Sequence, residues 1–273
     1  MPSARLDDSP IARAVEALGD TRAFPDVEWL VELLEVPASK IEAVLREAAG
    51  YLELEETIHA RHAAGGRDFY AQFRAPLELY ALTRFVRPAH IIETGVSSGV
   101  SSAHFLLALR SNAAGTLHSI DYPISQRAAA LARGESPVSL PPGRTSGWAI
   151  PDELRKGWDL RVGPSQDLLP ALVAELPSVD FFLHDSHHTP THLAFELATI
   201  QPKLSPGAIV LADNTSWTGR AFDRFARGRG VSFFRRGGTD LVGLRIPGSR
   251  LPEVEITRSR SVRAKPKPSR RRR

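Results

Sequence analysis

Residues 90–102 read HIIETGVSSGVSS. A short apolar run ends in the acidic Glu93, two glycines follow at 95 and 99, and the serines beyond them open a helix around Ser101. Gly95 and Gly99 permit backbone conformations and close approaches that a side chain forbids. The first N–H groups of the following helix face the turn without intrahelical partners. A strand–turn–helix of this kind holds a small polar or anionic group. The dinucleotide fingerprint G-x-G-x-x-G fails here, because counting from Gly95 its other glycines would fall on Ser97 and Val100. A nicotinamide cofactor is therefore disfavoured.

Outward from this turn, strand and helix patterns alternate. Strands are predicted at His90–Val96, Thr116–Asp121, Asp159–Gly163, Val179–Asp185, Ala208–Asn214, Val231–Arg235 and Asp240–Ile246, with helices between the first six. Alternation predicts an α/β fold with a mostly parallel, Rossmann-like sheet of seven strands. Only Gly237 and Gly238 mark the turn between the last two strands, so these should close the sheet as an antiparallel hairpin. Residues 1–66 read as a helical appendage: SPIARAVEAL, DVEWLVELL and SKIEAVLREAAGYL carry apolar residues at three-to-four spacing, with Ser9, Asp26 and Ser39 as caps. Gly65-Gly66 ends it, and a further helix is expected from Asp68 to Phe85. The α/β unit then spans 67–248. Within it, residues 122–157 form a Pro/Gly-rich insertion after the second strand, read either as a lid over a ligand or as a solvated loop.

The 273 residues, 42% of them hydrophobic, suffice for a packed core with an appendage. There is no cysteine, which excludes disulfides, thiolate metal ligands and cysteine nucleophiles. No apolar run approaches membrane-spanning length and no signal-peptide core is seen near the N-terminus, so a cytoplasmic protein without a membrane partner is expected. The net charge of +4 is unevenly spread: residues 258–273 hold nine Lys/Arg and no acidic residue, leaving 26 basic against 31 acidic side chains before them, a net of −5. The tail at 249–273 is expected to be disordered, with electrostatic contact to nucleic acid or another polyanion as one reading and plain solvation as the other.

Four further strand ends carry chemistry. Asp121 closes the second strand, where a carboxylate can accept both hydroxyls of a ribose. Ser165 and Gln166 follow the third, placed to meet a purine edge, with Asp167 as a rival helix cap. Asp185 ends the fourth strand, and Asp213-Asn214 end the fifth 28 residues later. Adjacent parallel strands would bring these oxygens together, and two carboxylates with an amide suit a hard divalent cation. His184, His187, His188 and His192 crowd the same edge. Thr189-Pro190 reads as the cap and first turn of the next helix, which Leu204–Gly207 closes. Trp217 either stacks on a substrate or packs beneath its loop.

Glu93, Gly95, Gly99 and Ser101, then Asp121, Ser165-Gln166, Asp185 and Asp213-Asn214, together resemble class I S-adenosylmethionine-dependent methyltransferases over about residues 68–246. They are most similar to metal-dependent catechol-type O-methyltransferases and to bacterial relatives of unassigned substrate. The resemblance implies S-adenosylmethionine bound by Glu93, Gly95, Gly99, Ser101, Asp121, Ser165 and Gln166. It also implies Mg2+ or another divalent cation on Asp185, Asp213 and Asn214. His188 stands three residues after Asp185, where those enzymes place a lysine base; an imidazole there can take the substrate proton, so Asp185 and His188 are the expected catalytic pair. The expected acceptor is a small-molecule hydroxyl on a natural product, sugar or aromatic diol, and a second copy of the chain is a further candidate partner. The rival readings are an RNA or ribosome methyltransferase guided by the basic tail, and a non-catalytic nucleotide-binding protein of the same fold.

Overall fold

The computed structural model describes residues 24–65, 73–123, 140–248 and 250–256. Helices α1 (Val27–Leu34), α2 (Ala38–Ala49), α3 (Leu52–Ala63) and α4 (Pro76–Val86) precede the sheet. There follow β1 (His90–Thr94), α5 (Val100–Asn112), β2 (Thr116–Asp121), β3 (Trp158–Val162), α6 (Ser165–Glu175) and β4 (Val179–His184). The chain continues through α7 (Pro190–Ile200), β5 (Leu204–Ala212), α8 (Ala221–Gly228), β6 (Phe234–Arg235) and β7 (Val242–Arg245).

The seven strands lie in the order β3-β2-β1-β4-β5-β7-β6. The first five are parallel, and β7 runs antiparallel to both β5 and β6. The alternating and antiparallel patterns read from the sequence therefore describe the sheet. Its order reverses between β1 and β4, and the connections that leave the carboxyl ends of these two strands pass to opposite faces of the sheet, which leaves a crevice between them.

Period-two alternation sends successive residues to opposite faces. Ile91, Leu117, Phe181, Leu183, Ile209 and Leu211 pack on the side of α1 to α5, whereas Ile92, Ile120, Phe182, Val210 and Leu244 pack against α6, α7 and α8. Each such side chain, withdrawn from water, contributes roughly 1.5–3 kcal/mol. The N-terminal helices share the first of these cores, with Trp29, Leu30, Leu33, Ile41, Leu45 and Ile58 all buried in it. Helices α1 to α3 of the appendage are thus a layer of the same core. Asp26 caps α1 by accepting the Trp29 N–H at 3.0 Å, and the Trp29 indole donates to the Phe234 carbonyl at 3.1 Å.

Several boundaries differ from the sequence reading. Ser39 does not cap: α2 begins at Ala38 and Pro37 is its N-cap residue, its carbonyl accepting the Lys40 and Ile41 N–H groups. The run that begins at Ser39 is broken by a turn at Gly50-Tyr51 between α2 and α3, as fits the poor helix propensity of glycine. Helix α4 starts at Pro76 and residues 73–75 ahead of it are not helical, because proline keeps the preceding residue out of helical conformation and suits the first helical position. Leu204–Gly207 belongs to β5 instead of forming a helix-ending turn. Asp167 lies inside the first turn of α6 and does not cap it. The expected helix at 9–18 with its cap Ser9, the start of the 68–85 helix, residues 126–133 and the basic tail from 258 lie outside the described residues. Among those described, no helix is long and apolar enough to cross a membrane.

Candidate active site

A cavity of about 610 Å³ fills the crevice at the carboxyl ends of β1 to β4. The turn after β1 forms its base, with Gly95 and Gly99 both at φ +90°. A Cβ on Gly95 would meet the Asp185 carbonyl oxygen at 2.0 Å, since β1 and β4 approach here with the Asp185 N–H bonded to Thr94. A Cβ on Gly99 would strike Ile150 at 2.6 Å. Ile150 belongs to residues 146–150, which return over the turn: Gly147 and Ala149 donate N–H bonds to the Ser97 and Ser98 carbonyls at 2.8 and 2.9 Å. This part of the insertion is a packed clasp on the turn.

Glu93 lies beneath the turn and does not line the cavity. Fully buried, its carboxyl accepts hydroxyl hydrogen bonds from Ser101 and Ser102 at 2.5 Å and from Ser119 at 2.8 Å. Burial pushes that carboxyl up to about 7, against the pull of the three hydroxyls and with Asp121 adding repulsion. Its action on the cavity passes through Ser101, which does line it. Asp121 lines the cavity directly, with Oδ1 taking the Val96 N–H at 3.1 Å and Oδ2 the Ser146 hydroxyl. A carboxylate offers about four lone-pair positions, so capacity for two ligand hydroxyls remains.

Ser165 and Gln166 open α6 on the opposite wall. Behind them stands a residue that the sequence reading missed, Glu196 of α7. Its buried carboxylate gathers Ser165 Oγ at 2.7 Å, Thr94 Oγ1 at 2.8 Å, Ser186 Oγ at 3.0 Å, His184 Nδ1 at 2.7 Å and His192 Nε2 at 2.9 Å. His192 also meets Gln166 Nε2 at 3.1 Å. Burial works to raise the Glu196 carboxyl, but the two histidines and their hydrogen bonds hold it far below the usual carboxylate range. A signal was present in the sequence: Glu196 shares the buried face of α7 with His192, Leu193, Leu197 and Ile200. An acid on an apolar helix face requires partners.

The structure brings Asp185, Asp213, Asn214 and His188 to one edge. Burial raises the Asp185 carboxyl well above its ordinary value, with Asp213 the next cause, followed by Glu93 and Asp121. Burial likewise raises Asp213, partly offset by the Asn214 N–H, His184 and Arg74. The Asn214 amide donates to His188 Nε2 at 3.1 Å, and that nitrogen stands 3.7 Å from Asp185 Oδ1. Burial and then the neighbouring His184 lower the His188 imidazole to about 3, so it is neutral and accepts from Asn214. Trp217 meets His188 edge-on at 6.3 Å between ring centroids and is 62% exposed, so it stands at the rim instead of packing under its loop. No group of three or more His, Asp or Glu side chains among the described residues converges as a metal site; the trio here is two carboxylates and an amide, and the mutual repulsion of the carboxylates is what a cation would relieve.

The N-terminal layer touches this site through α3. His62 Nδ1 lies 2.8 Å from Ser98 Oγ on the cavity wall, and Arg61 donates to the Ile150 carbonyl at 3.1 Å. Deeper in α3, Glu55 pairs with His104 of α5 at 2.9 Å.

Residues 92–215 match a family model described as a methyltransferase domain. No curated protein matches the chain. Among solved structures, the O-methyltransferase NovP is 16% identical, covering 72% of this chain and 99% of its own, with a TM-score of 0.52. TomG from Streptomyces achromogenes, an O-methyltransferase involved in tomaymycin synthesis and solved with S-adenosylmethionine, is 19% identical over 72% of this chain and 89% of its own, with a TM-score of 0.50. At such identities the likeness is one of fold.

Proposed function

We propose that this chain, a class I S-adenosylmethionine-dependent methyltransferase, transfers the methyl group to a hydroxyl oxygen of a small molecule. The observation that carries the reading is the continuity of one edge. The crevice is lined by Gly95–Ser98, Asp121, Ser165, Gln166 and Asp185, and Asp185 follows β4 next to β5, whose end carries Asp213 and Asn214. In it Asp121 takes the ribose hydroxyls, Ser165 and Gln166 meet the adenine edge, and the turn's free N–H groups receive the polar end of the amino acid. NovP and TomG, both O-methyltransferases, have the same fold.

The acceptor oxygen attacks the methyl carbon in line while the carbon–sulfur bond breaks, and S-adenosylhomocysteine departs. The sulfonium is already an activated leaving group, so the protein's work is to position the oxygen and remove its proton. Asp185, Asp213 and Asn214 would hold a divalent cation, which when bound supplies Lewis-acid activation of a hydroxyl. His188, neutral and bonded to Asn214, is the proton acceptor in this reading.

Calorimetric titration with S-adenosylmethionine, with magnesium or a chelator and with NAD as control, tests the cofactor. Micromolar binding of S-adenosylmethionine alone is expected; folded protein that binds none sinks the reading. Asp213→Ala should abolish transfer in an acceptor screen and leave cofactor affinity within about threefold, a change under 1 kcal/mol. Equal loss of both would remove the metal-site role.

A further inference from the structure

A second cavity, of about 630 Å³, has Asp213 and Asn214 in its wall. Phe73 lines the first cavity and the next residue, Arg74, lines the second, so this short segment before α4 adjoins both. We infer that this second cavity is the acceptor pocket and that it selects a hydroxylated molecule bearing an anionic group, a carboxylate or a phosphate, held by Arg74 and Arg235. This rests on the methyl-transfer reading and names the class of acceptor.

The charged groups of the cavity have unequal freedom. Arg236 is committed: its Nε meets Glu78 at 2.6 Å, and its other nitrogens donate to the Phe24 and Gly237 carbonyls at 2.6 and 3.0 Å. Asp240 accepts the Ser216 hydroxyl at 2.6 Å. Arg235 spends one N–H on Thr215 Oγ1 at 3.1 Å, a bond that ties its guanidinium beside Asn214. Arg74 makes no hydrogen bond or ion pair within 4 Å among the described residues, yet its charge is felt at Asp213. The cavity therefore holds the oxygen ligands Asp213 and Asn214 and two guanidinium forks with spare donors in the same walls. A planar fork matches a carboxylate or phosphate in a way that a neutral ring does not require. Such an acceptor would place its hydroxyl at Asp213-Asn214 and its anion on the arginines.

The test uses full-length protein labelled with 15N-arginine, its Nε–H signals followed by NMR at constant ionic strength. Inorganic phosphate, 3,4-dihydroxybenzoate and catechol are the probes. The Arg74 and Arg235 signals, assigned by their loss in Arg74→Gln and Arg235→Gln, should shift with both anions. Dihydroxybenzoate should bind at least about tenfold tighter than catechol, and each variant should lose about tenfold for the anions alone, the order of one charge-assisted hydrogen bond. Unmoved signals, equal affinities for dihydroxybenzoate and catechol, or folded variants with undiminished anion affinity would overturn the inference. S-adenosylhomocysteine binding measured on the same samples reports separately: its absence with anion binding intact would fault the methyltransferase reading, not the anion site.

Discussion

Two buried carboxyls stand behind the walls of the first cavity, and they shift in opposite directions. Glu93 and Glu196 are the same residue type, both fully buried and both bonded by serine hydroxyls. Glu93 has only neutral donors, Ser101, Ser102 and Ser119, and burial carries it up to about 7. Glu196 has His184 and His192 beside it and falls far below the carboxylate range. Burial alone therefore does not set the direction in which a buried acid shifts; the partners that surround it do. Under the glycine turn the support is a hydroxyl-bonded carboxyl raised to about 7. Under α6 it is a hub of imidazoles and hydroxyls around a carboxyl held low.

This contrast can be broken by mutation. Glu196→Ala should have the largest effect, about 3–5 kcal/mol of stability lost in urea unfolding, because it strands two histidines and three hydroxyls around an uncompensated hole. A loss below about 1 kcal/mol would show that the Glu196 carboxyl does not anchor these five partners. Next is the pH response. A protonated Glu93 contributes stability fully present below pH 4.5 and lost as pH rises through about 7, because the unfolded chain releases that proton first. Glu196 acts oppositely: its contribution is present above pH 4.5 and lost as pH falls through its depressed folded value. Glu93→Gln should flatten the decline between pH 4.5 and 7 and leave the acid limb unchanged; an unaltered decline would count against a protonated Glu93. The smallest expected effect belongs to His62→Ala, about 1 kcal/mol with a modest loss of cofactor affinity, through release of the Ser98 hydroxyl. No change in affinity on calorimetry would mean that α3 does not brace the turn.

Much of the site was legible because strand ends are local events. Gly95, Asp121, Asp185 and Asp213-Asn214 each sit where an apolar run gives way to a turn, and the parallel sheet gathers such positions at one edge. Glu93 was legible as important but not in its position, because a side chain at the last turn of a strand can point to the cavity or below it, and only the packed serines decide. Glu196 was passed over because it lies in mid-helix. Arg74 and Arg235 lie outside every motif, and their pairing at one cavity depends on the hairpin that places β6 at the sheet edge.

By itself the sequence determined the α/β class, the antiparallel end of the sheet and the residues that close each strand, since these follow from hydrophobic period and from the chemistry of glycine and proline. Only the tertiary structure decided that the N-terminal helices share the sheet's core, that residues 146–150 clasp the glycine turn and which way each buried acid titrates. Those outcomes depend on contacts between residues distant in the chain, and charge and burial there are properties of the neighbours.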